Sequence, residues 1–417
     1  MIYAVLTCIS LAVLGSTWFL YRRNLELFLC ALIVIASEFF YLLPAFAGFR
    51  YLLLPMLVIL LVESFLTGKL SMGRYGWWVL GFIFISILGI VVAAIHGQGL
   101  MFGIKAAKFI PLVLIYYLIA GRQIDAERFV RYFIAMACVV GIIATVQYFL
   151  PGNVVIFPGM PEAMKLARLE NPRVTIGQFV ISAAAMASFA LYARRSGTLY
   201  LLVALALFAE VFFIQKTRVL TVGVLLSLFL VYVLSRKLTT LRLSAYLVLT
   251  GFIMGVFLVA SARIAETEVV RRTHADIVKK KGSFQGRINA YQHYWKEIEK
   301  NPLFGRGLLN FNWEGNRDKF LQQEMGIHLS DIGIMHFFVQ AGLFGMLWFA
   351  FGLLKLWRDV IAHRELLCLS AYVALATLTL PTIDFFLRSD SMFLFAVFLG
   401  IFASCLSARH QRLAVVT

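Results

Sequence analysis

The repeated apolar segments of this chain constrain its fold more than any other feature of the sequence. Each is about 20 residues long, which is the length that a helix needs to cross a hydrocarbon core about 30 Å thick. The composition agrees, because 61% of the residues are hydrophobic and only 14% are charged, which excludes an ordinary soluble domain. The sequence therefore predicts an all-α, polytopic integral membrane protein with about 12 to 13 transmembrane helices. The apolar segments lie at approximately 2–20, 25–43, 50–67, 76–95, 103–120, 129–150, 174–193, 198–214, 218–234, 243–261, 329–354, 365–381 and 389–407.

Basic residues are concentrated in alternate short connections between these segments. A formal net charge of +17 would suggest nucleic acid as the partner of a soluble protein. In a membrane protein the same excess marks the cytoplasmic loops, so we predict no nucleic-acid partner. The N-terminus and the 151–173 loop then lie on the opposite, outer side. The basic connections contain Arg22/Arg23, Lys69/Arg74, Arg122/Arg128/Arg131, Arg194/Arg195, Arg236/Lys237/Arg242, Lys355/Arg358/Arg364 and Arg409/Arg412.

The distribution of polar residues divides the chain into three parts. Residues 1–261 contain the first ten predicted transmembrane helices and the outer loop 151–173. Residues 262–328 form a long polar segment, also predicted to lie outside, and residues 329–417 return to the membrane. Ionisable groups held against a bilayer are costly and usually functional, so we expect the polar segment to contain the catalytic site.

One helix is predicted within the polar segment, from residue 287 to residue 300. Its apolar face, at helical spacing, contains Ile288, Tyr291, Trp295 and Ile298. The opposite face contains Arg287, Lys296 and Lys300. A helix of this kind lies at the membrane interface, and Pro302 ends it because proline disfavours helical geometry in the residue before it.

A heptapeptide follows this helix directly: Asn301-Pro302-Leu303-Phe304-Gly305-Arg306-Gly307. This heptapeptide resembles the signature of the O-antigen ligase and polymerase superfamily. The resemblance also includes Arg287 upstream, Gly342-Leu343-Phe344-Gly345 downstream, and Lys216-Thr217-Arg218 at the start of an apolar helix. Those proteins are integral membrane glycosyltransferases that use polyprenyl-pyrophosphate-linked sugars. The resemblance implies an enzyme of the bacterial inner membrane whose active site faces the periplasm. Its substrate would be an undecaprenyl-pyrophosphate-linked oligosaccharide held in the lipid bilayer.

Two arginines are the predicted groups that stabilise the departing pyrophosphate. A guanidinium is always charged and presents paired donors that match phosphate oxygens. Arg218 starts an apolar helix beside Lys216, and Arg287 begins the interfacial helix, where a cation opposes the helix dipole. The resemblance implies a functional arginine at both positions. Alternatively, Arg218 snorkels to the interface and Arg287 is a solvated charge on a polar helix face.

Other basic residues on the outer side are further candidates for substrate binding. Lys105 and Lys108 are three residues apart and open the predicted fifth helix on one face, where contact with lipid headgroups is the alternative. Arg173 ends the 151–173 loop, and its alternative role is that of a solvated loop charge. Arg306 lies within the signature itself.

The residue that takes the acceptor proton decides between the two branches of the superfamily. The ligase branch has a histidine eleven residues before the first glycine of a G-x-x-G pair, but counting back from Gly342 gives Asp331. We predict Asp331, or His328 one turn earlier, as the general base, and His336 in substrate binding. The alternative is that Asp331 caps the eleventh helix. The resemblance therefore favours a polymerase that extends another lipid-linked repeat unit over a ligase that transfers the glycan to lipid A-core.

The sequence predicts no metal ion or cofactor, because it has no carboxylate or histidine pair at metal-ligand spacing and no nucleotide-binding motif. The five cysteines lie in apolar runs and are predicted packing residues. Asp384, Arg388 and Asp390 are expected to pair with one another rather than to act in catalysis. The one protein partner we expect is a chain-length regulator. A sugar transporter is the rival hypothesis, and the lack of an internal repeat disfavours it.

We predict that cysteines introduced near Asn153 and Asn316 react with a membrane-impermeant maleimide in intact spheroplasts, whereas a cysteine near Arg195 does not. The reason is that lysine and arginine are retained on the cytoplasmic side. Labelling confined to the site near Arg195 would invert this topology.

Overall fold

The computed structural model of the protein describes residues 15–37, 49–150, 174, 177–235, 283–316, 318, 321–322 and 327–416. Every regular element in these ranges is helical. The predicted segment 243–261, the 151–173 loop with Arg173, and the first part of the polar segment lie outside the described residues. The α-helices are α1 (Leu25–Ala36), α2 (Phe49–Leu66), α3 (Gly76–Ile95), α4 (Leu100–Ala107), α5 (Ile115–Ala120), α6 (Ala126–Phe149), α7 (Gln178–Arg195), α8 (Thr198–Glu210), α9 (Arg218–Ser235), α10 (Ser283–Lys300), α11 (Ile334–Ala362), α12 (Leu367–Thr379) and α13 (Ser389–Val416).

Several of these helices are long and apolar enough to cross a bilayer, which confirms the prediction of an all-α, polytopic membrane protein. Within the described residues, the helices that meet both conditions are Gly76–Ile95, Ala126–Phe149, Thr198–Gln215, Ile334–Ala362 and Ser389–Arg409. A further crossing results if α4 and the segment Ile110–Ala120 are taken as one bent span. The full number of crossings stays a prediction, because some of the predicted segments lie outside the described residues.

The single helix predicted at 103–120 is wrong. The chain instead forms α4, a 3₁₀ turn at Ile110–Leu114 and then α5, and the two arms are inclined at 44°. Pro111 explains the break, because proline has no N–H to donate and its ring clashes with the carbonyl four residues earlier, which is that of Ala107. Lys105 and Lys108 therefore lie at the end of a short helix rather than at the start of a long one.

The basic short loops that the structure describes come together at one end of the helix bundle, as a common side of the membrane requires. The predicted basic connection at 236–242 lies outside the described residues. Arg74, between α2 and α3, forms a bidentate ion pair with Asp359 near the end of α11, with N–O distances of 2.5 and 2.6 Å. Further contacts between these loops are Arg22–Glu63, Arg122–Ser64, Arg195–Glu127 and Arg409–Glu365. The structure thus groups the predicted cytoplasmic loops, and the side of the membrane on which they lie stays a prediction.

A break in α11 organises the other end of the bundle. At Gly342 the backbone leaves helical geometry, with φ 62° and ψ −164°. The break removes helical partners from nearby carbonyl and N–H groups, which must be satisfied elsewhere because a low-dielectric environment offers little water. The heptapeptide 301–307 supplies the partners. Its hydrogen bonds to α11 are Arg306 N to Val339 O (2.9 Å), Gly307 N to Gln340 O (3.1 Å), Leu343 N to Pro302 O (2.8 Å) and Phe344 N to Leu303 O (3.1 Å).

Glycines allow the heptapeptide to lie this close to α11. A Cβ atom at Gly305 would come within 2.5 Å of the Val339 carbonyl oxygen, and one at Gly342 within 2.4 Å of the Leu303 carbonyl oxygen. Both residues also have a positive φ, which side chains other than glycine rarely adopt. The signature glycines are therefore required by the contact between two pieces of backbone.

We predict that Gly342→Ala destabilises the protein much more than Gly68→Ala. Both glycines have a φ near +60°, but a Cβ atom at Gly68 would meet nothing within 4 Å. The positive φ alone costs about 1–2 kcal/mol. The added clash at Gly342 should bring the loss to about 3 kcal/mol or more. Thermal unfolding in detergent measures the difference, and equal unfolding temperatures for the two variants would contradict this description of the loop.

Candidate functional site

Helix α10 brings Arg287 onto a buried face. Ala290, Tyr294 and Ile298 are buried, whereas Trp295 is 51% exposed. The predicted apolar face is therefore correct in part: Ile298 is buried and Tyr291 packs against the same cluster, but Trp295 is exposed. The buried face is centred on Ala290 and Tyr294 instead. Arg287 is half-buried at the start of the same face, one turn before Ala290. Its Nε atom is buried and has no hydrogen-bond partner among the described residues.

This face of α10 packs against the start of α11. The hydrophobic cluster formed there contains Ala290, Tyr294, Ile298, Ile332, Met335 and Val339. Tyr291 donates a hydrogen bond from its hydroxyl to the Pro381 carbonyl, in the connection after α12. Burial raises the pKa of Tyr291, and the charge of Arg287, one turn earlier on α10, opposes this shift. Arg287 is thus held where α10, α11 and the end of α12 meet.

Arg306 is neutralised by a carboxylate that the sequence analysis missed. Its Nη1 donates to Asp318 Oδ1 at 2.9 Å, its Nη2 donates to Asp318 Oδ2, and its guanidinium lies 5.3 Å from the centre of the Tyr294 ring. Tyr294 also donates to Asp318 Oδ1, at 2.8 Å. Burial, followed by the Asp318 charge, raises the pKa of Tyr294 well above its ordinary value, so the hydroxyl stays a donor. Asp318 therefore occupies both terminal nitrogens of the Arg306 guanidinium, and the role of Arg306 in substrate binding stays a prediction.

A cavity of about 400 Å³ lies between α4, the segment 308–322 and the start of α11. Its polar lining consists of Asn310, Asn316, Asp318, Gln322, Ser330, His336 and Gln340. Its apolar lining consists of Ala106, Ile110, Leu308, Leu309, Phe311, Leu329 and Leu387. The cavity therefore combines a polar and an apolar wall at the end of the bundle that contains the signature loop.

Gln98 fixes one wall of this cavity and was also missed by the sequence analysis. Its side chain is 2% exposed, donates to the Leu308 carbonyl at 3.0 Å and accepts from the Asn310 N–H at 2.6 Å. The Asn310 amide in turn donates to the Phe102 carbonyl at 3.1 Å. The segment after the signature loop is therefore anchored to the connection between α3 and α4.

His336 is held on both sides of its ring. Its Nδ1 lies 2.5 Å from Asp384 Oδ2, and its Nε2 lies 2.9 Å from the side-chain nitrogen of Gln340. Asp384 is 5% exposed, and its Oδ1 accepts from the Leu387 N–H at 3.1 Å. The expected pairing among the acidic and basic residues near 388 is correct only in part. Arg388 pairs with Asp390, whereas Asp384 pairs with His336.

His328 and Asp331 flank the cavity on a 3₁₀ turn, Leu329–Ile332, that precedes α11. Both are half-buried, and neither side chain hydrogen-bonds to another residue that the structure describes. The N-cap of α11 is Gly333, which has no side-chain capping bond, so the alternative of Asp331 as a cap is wrong. Their neighbours Leu329 and Ser330 line the cavity. The two predicted bases are therefore adjacent to the cavity and are not used in capping.

The start of α9 lies at the same end of the bundle. As predicted, the helix begins at Arg218. Lys216, two residues earlier, has a left-handed backbone conformation with φ 51°, and its Nζ donates to the Tyr148 hydroxyl at 2.9 Å. The first half of α9 packs against the end of α12, so closely that a Cβ atom at Gly223 would meet the Thr379 side chain. The end of α12 leads to Pro381, which contacts α10. The backbone thus brings the Lys216–Arg218 turn and Arg287 to one end, although they are about seventy residues apart.

Lys105 and Lys108 lie beside the cavity but are directed to neighbouring rings. Their Nζ atoms are 5.7 Å from the Phe102 ring centre and 5.0 Å from the Phe109 ring centre. Ala106, between them, lines the cavity. Within the described residues, no group of three His, Cys, Asp or Glu side chains is arranged to hold a metal ion.

Residues 179–350 match the model of a protein family described as O-antigen ligase. The resemblance to the O-antigen ligase and polymerase superfamily is confirmed. The match runs from α7 into α11, so it contains Arg218, Arg287, the signature loop, Asp331 and His336. It leaves out Gln98 and Asp384, which hydrogen-bond to residues that line the cavity. No curated protein matches the chain. The match implies a glycosyltransferase-like enzyme of the ligase or polymerase type, and the long apolar helices agree with a multi-pass membrane protein.

Proposed function

We propose that the protein is an O-antigen or exopolysaccharide polymerase. It transfers a glycan from undecaprenyl pyrophosphate to a sugar hydroxyl of another lipid-linked repeat unit, at the periplasmic face of the bacterial inner membrane. The observation that carries this proposal is the convergence at one end of the bundle. The signature loop on broken α11 holds together Arg287, the turn with Asp331 and a cavity with polar lining, beside the start of α9.

Arg287 and Arg218 stabilise the leaving group in this proposal. As the bond between sugar C1 and the phosphate oxygen breaks, negative charge accumulates on the pyrophosphate, and a guanidinium placed at that position lowers the barrier. The buried Arg287 Nε without a partner among the described residues supports this role, because an unsatisfied buried donor is costly until an anion accepts from it. Arg218, with Lys216, lies at the same end and supplies the second charge. Arg173, Lys105 and Lys108 are proposed to contact the substrate further from the reacting bond.

Asp331, or His328 beside it, takes the proton of the acceptor hydroxyl. The acceptor oxygen forms a bond to C1, the bond from C1 to pyrophosphate breaks, and the proton passes to the carboxylate or the imidazole. The half-buried position of both side chains next to the cavity supports this role. Neither of them is needed to cap α11.

An apolar surface beside the signature loop suits the polyprenyl chain. Leu303 and Phe304 of the loop and Leu343 and Phe344 of α11 are all exposed, and the two phenylalanine rings are 6.1 Å apart. In a bilayer this surface contacts apolar chains at the level of the loop. An isoprenoid lying there would bring its pyrophosphate to the polar end of the bundle.

A ligase that transfers the glycan to lipid A-core is the second candidate, and the description of the matched family favours it. The two candidates share the donor, the leaving group and the arginines. They differ only in the acceptor.

We predict that Arg287→Lys and Arg218→Lys each lower polymer formation about ten- to a hundredfold without loss of folded protein. A lysine keeps the charge but loses the paired donors, and a charge-assisted contact is worth about 1.5–3 kcal/mol. Arg358→Lys, at the exposed opposite end of the bundle, is the matched control and should behave as wild type. EDTA should have little effect. Full activity of both lysine variants would contradict the leaving-group assignment.

We predict that Asp331→Asn lowers the rate by about a hundred- to ten-thousandfold, as is typical when a general base is lost. The substitution changes the shape of the side chain very little, so folding should be preserved. His328→Gln should have the smaller effect, measured as incorporation of labelled sugar per minute. The reverse order, with label appearing on lipid A-core, would favour the ligase instead.

A further inference from the structure

We propose that the cavity beside α4 is the binding site for the acceptor sugar and that it takes a neutral carbohydrate. The term acceptor rests on the proposed glycosyl transfer. The sugar site itself depends only on the residues that line the cavity and on the partners that hold them.

The electrostatics of the cavity suit an uncharged ligand. Among the described residues that line it, none is lysine or arginine. Its one carboxylate, Asp318, already accepts hydrogen bonds from Arg306 and Tyr294. A diphosphate would need cationic partners, which the proposed function assigns to Arg287 and Arg218 rather than to this cavity.

The His336 ring and the side-chain amides of Asn310 and Asn316 are already hydrogen-bonded within the protein. The lining groups proposed to bind sugar hydroxyls are therefore the Gln322 and Gln340 amides and the Ser330 hydroxyl, which both donate and accept hydrogen bonds.

Gln340 provides a polar atom that lacks a partner. Its nitrogen lies 2.9 Å from His336 Nε2, and its Oε1 is buried without a hydrogen bond among the described residues. Turning the amide over would exchange the two ends, so either orientation leaves one end of the amide unpaired. A buried polar atom without a partner costs about 1–3 kcal/mol, and a ligand hydroxyl or acetamido group removes this cost.

Asp384 makes His336 a fixed element of the same wall. Because Nδ1 faces the Asp384 carboxylate, it carries a proton and donates to it, which holds the plane of the ring. Asp384 is itself held by the Leu387 N–H. The fixed ring in turn holds the Gln340 amide in the cavity wall, and this preorganisation reduces the entropy lost on binding.

Size and apolar lining agree with a sugar. A volume of about 400 Å³ is at the small end of the range of about 300–1,000 Å³ found for ligand sites. Phe311, which is 43% exposed, and Leu329 line the apolar side, against which the C–H face of a pyranose can pack. This combination of apolar surface and a few fixed polar groups is typical of small-molecule sites.

The test is saturation-transfer NMR on the full chain in detergent, with a panel of glucose, galactose, mannose, rhamnose and N-acetylglucosamine. At least one sugar should receive saturation transfer from the wild type, and inorganic pyrophosphate should not displace it. Gln340→Leu should lower the affinity for that sugar about tenfold, which corresponds to a loss of about 1.4 kcal/mol of binding free energy. Ser330→Trp, at an exposed position on the rim, should abolish binding by filling the cavity.

Gln123→Leu is the matched control, because Gln123 is exposed at the opposite end of the bundle, and it should bind as wild type. The proposal is overturned if no sugar of the panel binds the wild type, if pyrophosphate competes with the sugar, or if Gln340→Leu and Ser330→Trp both bind as wild type. A protein that binds a sugar here but does not consume a lipid-linked donor would overturn the proposed transfer and leave the sugar site standing.

Discussion

The site depends on the hydrogen bonds between the backbone of the signature loop and the break in α11. A helix interrupted at Gly342 leaves carbonyl and N–H groups without their helical partners, and a break of this kind persists only where another segment pairs with those groups. Residues 302–307 pair with them along both sides of the break. The glycines at 305 and 342 are needed because side chains there would separate the two backbones.

The functional groups take their positions from this contact. The loop continues α10, so seating the loop on α11 also seats Arg287 against the start of α11 and the end of α12. In the other direction the chain passes from Gly307 to Leu308, whose N–H donates to the Gly89 carbonyl at 2.9 Å, and then to the residues that Gln98 anchors. The position of Arg287 on one side of the loop and the shape of the cavity on the other side therefore both depend on the same backbone hydrogen bonds.

Local pattern was sufficient to predict part of this arrangement. Hydropathy predicted the class of fold, Pro302 predicted the end of α10, and the start of α9 at Arg218 was also correct. The apolar face of α10 was predicted correctly at Tyr291 and Ile298 and wrongly at Trp295. Hydropathy does not show that the Tyr294 hydroxyl finds a buried partner in Asp318, which lets Tyr294 rather than Trp295 occupy the buried face. Pro111 was a local signal for the break after α4. The prediction of one helix at 103–120 followed the hydropathy of that segment instead and was wrong.

The partners of the site residues could not be predicted, because they are distant in the chain. Gln98 contacts Leu308 across 210 positions, and His336 contacts Asp384 across 48. No periodicity or motif joins such pairs, so only the fold shows that Asp318 neutralises Arg306 and that Asp384 orients His336. The roles of Arg218, Arg287, His328 and Asp331 in catalysis stay predictions.

Reconstitution tests the central claim most directly. The purified protein, in liposomes, is supplied with a labelled undecaprenyl-pyrophosphate-linked repeat unit, with and without lipid A-core. Our account predicts longer lipid-linked chains and released undecaprenyl pyrophosphate, with the same yield whether or not lipid A-core is present. Label that moves only to lipid A-core would contradict the polymerase, and an unchanged donor under both conditions would contradict glycosyl transfer altogether.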